Sequence, residues 1–199
     1  MLRYVSDTEA TVWVETDGPS AVEILDHRAS TFEVEGHHYA IVAITQLAPG
    51  STQESDVRLD GERRWPAAVD GFPPSRIRTL PRIFPIRLVF GSCRVTAPDE
   101  APYSLSPDED ARGVGADALI AYALRMGRED PERWPHTLLM LGDQVYADEV
   151  SPETAAFISS RRDVREPPGE EVADFEEYAR AYHEAWGRRA RCRDRASVA

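Results

Sequence analysis

Residues 137–149 carry the sequence TLLMLGDQVYADE, in which an apolar run ends in Gly142-Asp143 and Tyr146 follows three residues later. The apolar run is short and lies between Pro135 and Gly142, which predicts a buried parallel strand rather than a helix. Gly142 permits a sharp turn where the strand stops. Asp143 is therefore expected at the carboxyl end of a central strand, where open α/β sheets bind their ligands.

A second short apolar segment, residues 86–90, is followed by Gly-Ser-Cys-Arg at positions 91–94. If both segments are parallel strands, their carboxyl ends direct Cys93 and Asp143 to one point. A carboxylate at a strand end, with the Tyr146 phenol nearby, suits a hard and highly charged metal ion. The two segments together predict a metal site at this edge of the sheet.

Each of these residues also has an ordinary structural interpretation. A cysteine at a strand end is often a small buried hydrophobic residue, an aspartate there often forms a turn or caps a helix, and a tyrosine is often half-buried packing. Their conjunction on two successive strand ends favours the metal-ligand interpretation. The rival within enzyme chemistry is a catalytic Cys-His pair, which would need His136 or His183 within hydrogen-bond reach of Cys93.

Three segments of the chain resemble the PhoD-like (alkaline phosphatase D) family of metallophosphoesterases. They are FGSCR at 90–94, LGDQVYADE at 141–149 and YHEAW at 182–186. The resemblance implies a small β domain followed by a phosphatase domain that hydrolyses small-molecule phosphoesters. It also implies ferric iron and calcium as cofactors, with Cys93, Asp143 and Tyr146 as metal ligands.

Phosphoester hydrolysis requires a nucleophilic hydroxide and neutralisation of the phosphate charge, and two metal ions supply both. Asp143 is the natural bridging ligand, because a carboxylate has two oxygen atoms to share. Cys93 and Tyr146 must lose their protons to bind, which a trivalent ion favours. Arg94 lies beside them in sequence, and its planar guanidinium is expected to contact the substrate phosphate.

Residues 1–82 predict an all-β, immunoglobulin-like sandwich. Short segments rich in β-forming residues predict strands at 11–15, 22–25, 31–35 and 38–45. Asp60-Gly61 predicts a tight hairpin turn. The proline-rich segment from Asp70 to Pro85 predicts a linker to the second domain.

Residues 83–186 predict an incomplete α/β metallophosphoesterase domain. Helices are expected at 116–126, from Ser151 onward and at 170–186, the last with an apolar stripe. Residues 187–199 form an arginine-rich tail without periodicity, which indicates a truncated phosphatase domain followed by an unrelated segment. Two strands with their helices do not cover each other's faces, so a complete domain of this class needs further strands.

The family's other ligands include an asparagine and an Asp-Asp-His segment, and the chain contains neither. Three ligands do not close a two-metal site, so this chain is expected to be inactive by itself. The alternative function is a non-catalytic β-sandwich that acts as an interaction module, joined to a remnant of the phosphatase domain.

The 199 residues carry a formal net charge of −12, and every basic side chain is arginine apart from five histidines. An acidic chain argues against nucleic-acid binding, which needs a basic footprint. No apolar segment reaches membrane-spanning length and the amino terminus lacks an apolar signal region, which predicts a cytoplasmic protein without membrane contact. Cys93 and Cys192 are two isolated cysteines and do not form a disulfide framework.

Overall fold

The computed structural model of the chain describes residues 1–66, 75–83, 85–97 and 100–187. The chain divides into two units. Unit 1 contains residues 1–88 and 133–137, and unit 2 contains residues 89–132 and the chain from Leu138 onward. The predicted arginine-rich tail lies, apart from Gly187, outside the described residues, as does Cys192.

Short strands dominate unit 1, in agreement with the prediction that this part of the chain is all β. The described residues form β1 (Leu2–Val5), β2 (Ala10–Thr16), β3 (Ala21–Ile24), β4 (His27–Ser30), β5 (Phe32–Val34), β6 (His37–Ile44), β7 (Thr52–Glu54), β8 (Val57–Leu59), β9 (Glu62–Trp65) and β10 (Arg76–Arg78). They pair as two four-stranded sheets, in the orders β1-β2-β6-β5 and β4-β3-β8-β9, and as a two-stranded sheet of β7 and β10. All of these pairings are antiparallel.

The core of unit 1 follows from alternation along the strands. In β6, Ala40, Val42 and Ile44 are fully buried, whereas Ile41 between them is 54% exposed. Buried side chains from both four-stranded sheets and from β10 form one cluster: Ala10, Val12, Val22, Ile24, Ala40, Val42, Ile44, Leu47 and Ile77. Each fully buried valine, leucine or isoleucine of this cluster stabilises the fold by roughly 1.5–3 kcal/mol relative to exposure.

The predicted Asp-Gly hairpin turn is confirmed. It joins β8 to β9, and Asp60 and Gly61 have φ angles of 52° and 87°. Two successive positive φ angles match the type I′ turn that suits the twist of a two-residue hairpin. The Asp60 carboxylate also accepts a hydrogen bond of 2.9 Å from the Ala21 backbone N–H.

The predicted linker between Asp70 and Pro85 is wrong for its central part. Residues 76–78 form β10, which pairs with β7, and Ile77 is only 3% exposed in the core. Two arginines flank the one apolar residue of this strand, so the alternation of polar and apolar residues is too short to predict it from the sequence. Residues 67–74 and 84 lie outside the described part of the chain.

The rest of the chain is a mixed α/β segment. It contains β11 (Leu88–Gly91), α1 (Ala118–Met126), a short 3-10 helix (Pro131–Arg133), β12 (Thr137–Met140), α2 (Pro152–Arg161) and α3 (Phe175–Gly187). Helix α2 begins as predicted, with Ser151 accepting a hydrogen bond from the Thr154 backbone N–H and proline in the first turn. Among the described residues no helix combines the length and apolar character needed to cross a lipid bilayer.

Strands β11 and β12 form a two-stranded sheet. At one end of the pair the His136 N–H donates to Arg87 O at 2.8 Å, and at the other end the Leu141 N–H donates to Gly91 O at 2.8 Å. The residue numbers rise together along both strands, so the strands are parallel. The prediction that these strands are buried is wrong. Phe90 is 67% exposed, and Leu138, Leu139 and Leu141 are 42–60% exposed, because no further strand or helix among the described residues covers them.

Helices α2 and α3 pack against each other through a few buried side chains. The α2 side contributes the fully buried Ile158, and the α3 side contributes Ala181 and Glu177. Glu177 is buried yet paired: its carboxylate lies 2.9 Å from Arg162 Nε, and this hydrogen bond holds the pKa of Glu177 below its ordinary value. The predicted apolar stripe of this helix is only partly buried. Phe175 and Tyr178 are 40% and 45% exposed, whereas Tyr182 and Trp186 are half-buried.

Candidate metal centre

The loops that follow β11 and β12 run side by side and bring two predicted ligands together. The Cys93 backbone N–H donates to Gly142 O at 3.1 Å, and the Arg94 N–H donates to Asp143 O at 2.9 Å. These bonds continue the parallel pairing beyond the strand ends. As a result, Cys93 Sγ lies 3.3 Å from Asp143 Oδ2, which is hydrogen-bond distance for a thiol.

Both residues have an unusual backbone conformation. Cys93 and Asp143 have φ angles of 56° and 50°, in the left-handed region. This conformation costs on the order of 1–2 kcal/mol for a residue with a Cβ atom. Such backbone strain persists where the surrounding structure imposes it, and it is concentrated at ligand-binding and catalytic sites.

Tyr146 joins the same group of side chains. Partial burial raises the pKa of its phenol above the ordinary value of 10, and the neighbouring Cys93 thiol and Asp143 carboxylate raise it further. A thiol, a carboxyl group and a phenol, each able to bind a cation as an anion, therefore lie close together. A bound cation favours the anionic form of such ligands, so the donor set fits a metal ion.

Arg94 has a different environment from the one predicted. Its Nε and Nη2 atoms donate to the Asp117 carboxylate at 3.1 and 2.8 Å. The two side chains are only 9% and 0% exposed, and the guanidinium carbon lies 4.8 Å from the centre of the Trp186 ring. The two-donor edge expected to contact a phosphate is thus occupied, and the remaining nitrogen, Nη1, is buried without a hydrogen-bond partner.

Asp117 is not among the predicted site residues, although the sequence carries a signal for it. An aspartate directly before the apolar helix that begins at Ala118 is typical of an N-cap. Its carboxylate accepts hydrogen bonds from the backbone N–H groups of Leu119 and Ile120 at 3.0 and 3.4 Å. Asp117 therefore connects the start of α1 to Arg94, the residue that follows Cys93.

The Cys-His arrangement receives no geometric support. Among the described residues the hydrogen-bond partners of the Cys93 thiol are Ser92 and Asp143, with Tyr146 alongside. His136 Nδ1 accepts a hydrogen bond of 2.9 Å from the Arg87 backbone N–H. That histidine thus has a structural partner at the beginning of the β11–β12 pair.

Residues 1–77 match the protein-family model described as "Domain of unknown function (DUF7800)". The match lies within unit 1 and includes nine complete strands and most of β10. No curated protein matches the chain, and no solved structure matches it.

Proposed function

We propose that unit 2 is part of a PhoD-like metallophosphoesterase domain and that Cys93, Asp143 and Tyr146 are metal ligands in it. The convergence of these three side chains, with Cys93 Sγ 3.3 Å from Asp143 Oδ2, carries the proposal. The residues come from two loops 50 positions apart in sequence. The strained backbone at Cys93 and Asp143 adds support, because strain of this kind is concentrated at functional sites.

The proposal extends to unit 1, which we assign to the immunoglobulin-like sandwiches that precede the phosphatase domain in this family. Support comes from its two four-stranded antiparallel sheets, which enclose one shared core. This is the general architecture of such sandwiches.

The anionic donors of the three side chains suit ferric iron, and the resemblance to the PhoD-like family implies calcium as the second metal. When bound, such ions neutralise phosphate charge and lower the pKa of a coordinated water. Cys93 and Tyr146 would hold the ion as anionic ligands, and Asp143 would offer two carboxylate oxygens. The Arg94–Asp117 ion pair fixes the backbone next to Cys93, so Arg94 acts by positioning rather than by contact with phosphate.

We expect metal binding without turnover from these 199 residues. The chain has no asparagine and no Asp-Asp-His segment, so the ligands for a second metal are incomplete. A half-formed site binds its metal weakly and lacks the paired charge that hydrolysis requires.

Metal binding is tested by titrating the protein with ferric iron and recording visible absorption, since a phenolate ligand to ferric iron absorbs visible light. The wild-type chain should develop a visible absorption band. Tyr146→Phe should remove the phenolate part of this absorption, and the double variant Cys93→Ser/Tyr146→Phe should remove all of it, because a thiolate ligand to ferric iron also absorbs visible light. Cys93→Ser and Asp143→Asn should weaken iron binding at least tenfold. Tyr122→Phe on α1 is the matched control and should retain the band.

The proposal is contradicted by a wild-type chain that shows no visible absorption when iron is added, or by a visible spectrum that is unchanged in Tyr146→Phe. Hydrolysis of bis(p-nitrophenyl) phosphate with added iron and calcium is measured in parallel. Turnover that depends on Cys93 and Asp143 would show a complete active site and overturn only the expectation of inactivity.

The second candidate function is a non-catalytic interaction module formed by unit 1. It is favoured by the separate core of that unit, in which seven side chains from β2, β3 and β6 are at most 8% exposed. A chain that binds no iron, together with a fragment of residues 1–88 that keeps the β-sheets of unit 1, would place this candidate first.

A further inference from the structure

Unit 2 contains a cavity of about 560 Å³ beside the candidate metal centre. Its walls come from the loops after β11 and β12, the first turn of α2 and one side of α3. Tyr146 belongs to both places, since it lines the cavity and also contacts the Cys93 thiol. A molecule in the cavity therefore reaches the proposed metal ligands at one end.

The size and the lining of the cavity point to an organic ligand. Small-molecule sites typically measure about 300–1,000 Å³ and have mainly apolar walls. Small apolar side chains supply much of this wall: Val95, Val114, Val145, Val150, Ala181 and Ala185. Inorganic phosphate is too small to fill this volume, and its charge would be poorly solvated against valine and alanine.

The charged side chains of the wall determine the charge of the organic group that binds. Two arginines line the cavity, and each is paired with an aspartate: Arg94 with Asp117 at 2.8 Å and Arg112 with Asp110 at 3.0 Å.

Three glutamates also line the cavity, at positions 149, 153 and 184. Glu184 is fixed in place, because its Oε2 accepts hydrogen bonds from Ser151 Oγ at 2.6 Å and Thr154 Oγ1 at 2.8 Å. With the arginine charges neutralised by their partners, the wall has a net negative potential, which repels a second anionic group.

We propose that this cavity binds the alcohol group of the phosphoester, and that the preferred alcohol is an uncharged or cationic organic group rather than an anionic one. The inference deepens the proposed function, since it places the phosphate end at Cys93, Asp143 and Tyr146. It predicts that nucleoside diphosphates and other esters with a second phosphate bind weakly in this cavity.

The charge preference is tested on the full chain with phosphate-free alcohols, whose binding requires the cavity and not the metal. Phenol, 4-(aminomethyl)phenol and 4-hydroxybenzoate share one ring and differ in charge at neutral pH. Ligand-observed NMR titrations should give at least tenfold weaker binding for 4-hydroxybenzoate than for the other two. Equal or tighter binding of 4-hydroxybenzoate, or no saturable binding of any of the three, overturns the inference.

A pair of charge variants locates the effect. The double variant Glu149→Gln/Glu153→Gln removes two exposed carboxylates from the wall and should reduce the discrimination against 4-hydroxybenzoate at least threefold. The matched control Glu166→Gln/Glu170→Gln removes two exposed glutamates that do not line the cavity, and should leave the discrimination unchanged. Equal discrimination against 4-hydroxybenzoate in the two double variants would contradict the role of the cavity glutamates.

Failure of this inference and failure of the proposed function give different results. If the iron band forms but the three alcohols show no charge order, the cavity assignment fails alone. If the alcohols bind in the expected order and no iron binds, the cavity is supported as an organic-ligand site and the proposed metal centre is contradicted.

Discussion

The residue Cys93 combines a proposed ligand role with a backbone conformation that opposes it. Its φ angle of 56° favours glycine. We therefore expect Cys93→Gly to be more stable than Cys93→Ala by about 1 kcal/mol, because both lose the thiol and only glycine relieves the strain. Urea unfolding monitored by circular dichroism measures the difference, and equal stability of the two variants would show that the positive φ angle does not destabilise the fold.

Asp117 is the second residue whose role is testable by itself. It holds Arg94 through a buried ion pair and caps α1. Asp117→Asn keeps an oxygen for the cap but removes the charge, and breaking a buried pair on one side costs about 3–5 kcal/mol. We expect a loss of this size in urea unfolding and weaker iron binding, whereas Asp110→Asn, which breaks an exposed pair, should change neither.

For single residues, the sequence predicted the positions of Cys93 and Asp143 but not the partner of Arg94. Each of the two residues follows an apolar strand and a glycine, and the ends of such strands can be located from the hydrophobic pattern. The partner of an arginine is not visible in this way. Asp117 lies 23 residues from Arg94, across a loop whose path no local periodicity specifies.

The beginning of the β11–β12 pair is held by a histidine that must be neutral. His136 Nδ1 accepts a hydrogen bond from the Arg87 N–H, and its pKa is lowered from 6.5 by burial and by the charges of Arg78 and Arg87. The folded state therefore binds a proton less readily than the unfolded state. The resulting stability is present above pH 6.5 and is lost as the pH falls through the lower folded-state value.

This linkage predicts a loss of stability on acidification that depends on one side chain. His136→Asn keeps an acceptor for the Arg87 N–H but does not titrate, so its free energy of unfolding should fall less than that of the wild type between pH 7 and pH 5. His136→Ala is the control and should be less stable at every pH, because it leaves the N–H unpaired. Identical pH profiles for wild type and His136→Asn would contradict the assignment.

Among the elements, long alternating strands and capped helices were predictable and short polar ones were not. Strand β6 and helix α2 were both anticipated, because their apolar alternation and Ser-Pro start are strong local signals. Strand β4, His27–Ser30, has little apolar character and depends on its pairing with β3. Such a strand is specified by its neighbour rather than by its own sequence.

For the whole molecule, the distribution of apolar surface differs between the two parts of the chain. The sheets of unit 1 enclose a core, whereas Phe90 and Leu141 at the β11–β12 sheet are 67% and 60% exposed. Parallel sheets normally have both faces covered. The exposed pair of strands is consistent with the proposal that this sheet belongs to a larger α/β domain.

The two units provide separate tests of stability and metal binding. Ile44 and Ile41 lie on the same strand and are 0% and 54% exposed, which makes them a matched pair. Ile44→Ala should destabilise unit 1 by about 2–5 kcal/mol, because it leaves a cavity in a closed core, and Ile41→Ala should have a much smaller effect. Neither substitution should change the iron band, since the proposed ligands all belong to unit 2. Circular dichroism and iron titration of both variants measure these effects, and loss of the band in Ile44→Ala would show that the metal site depends on the core of unit 1.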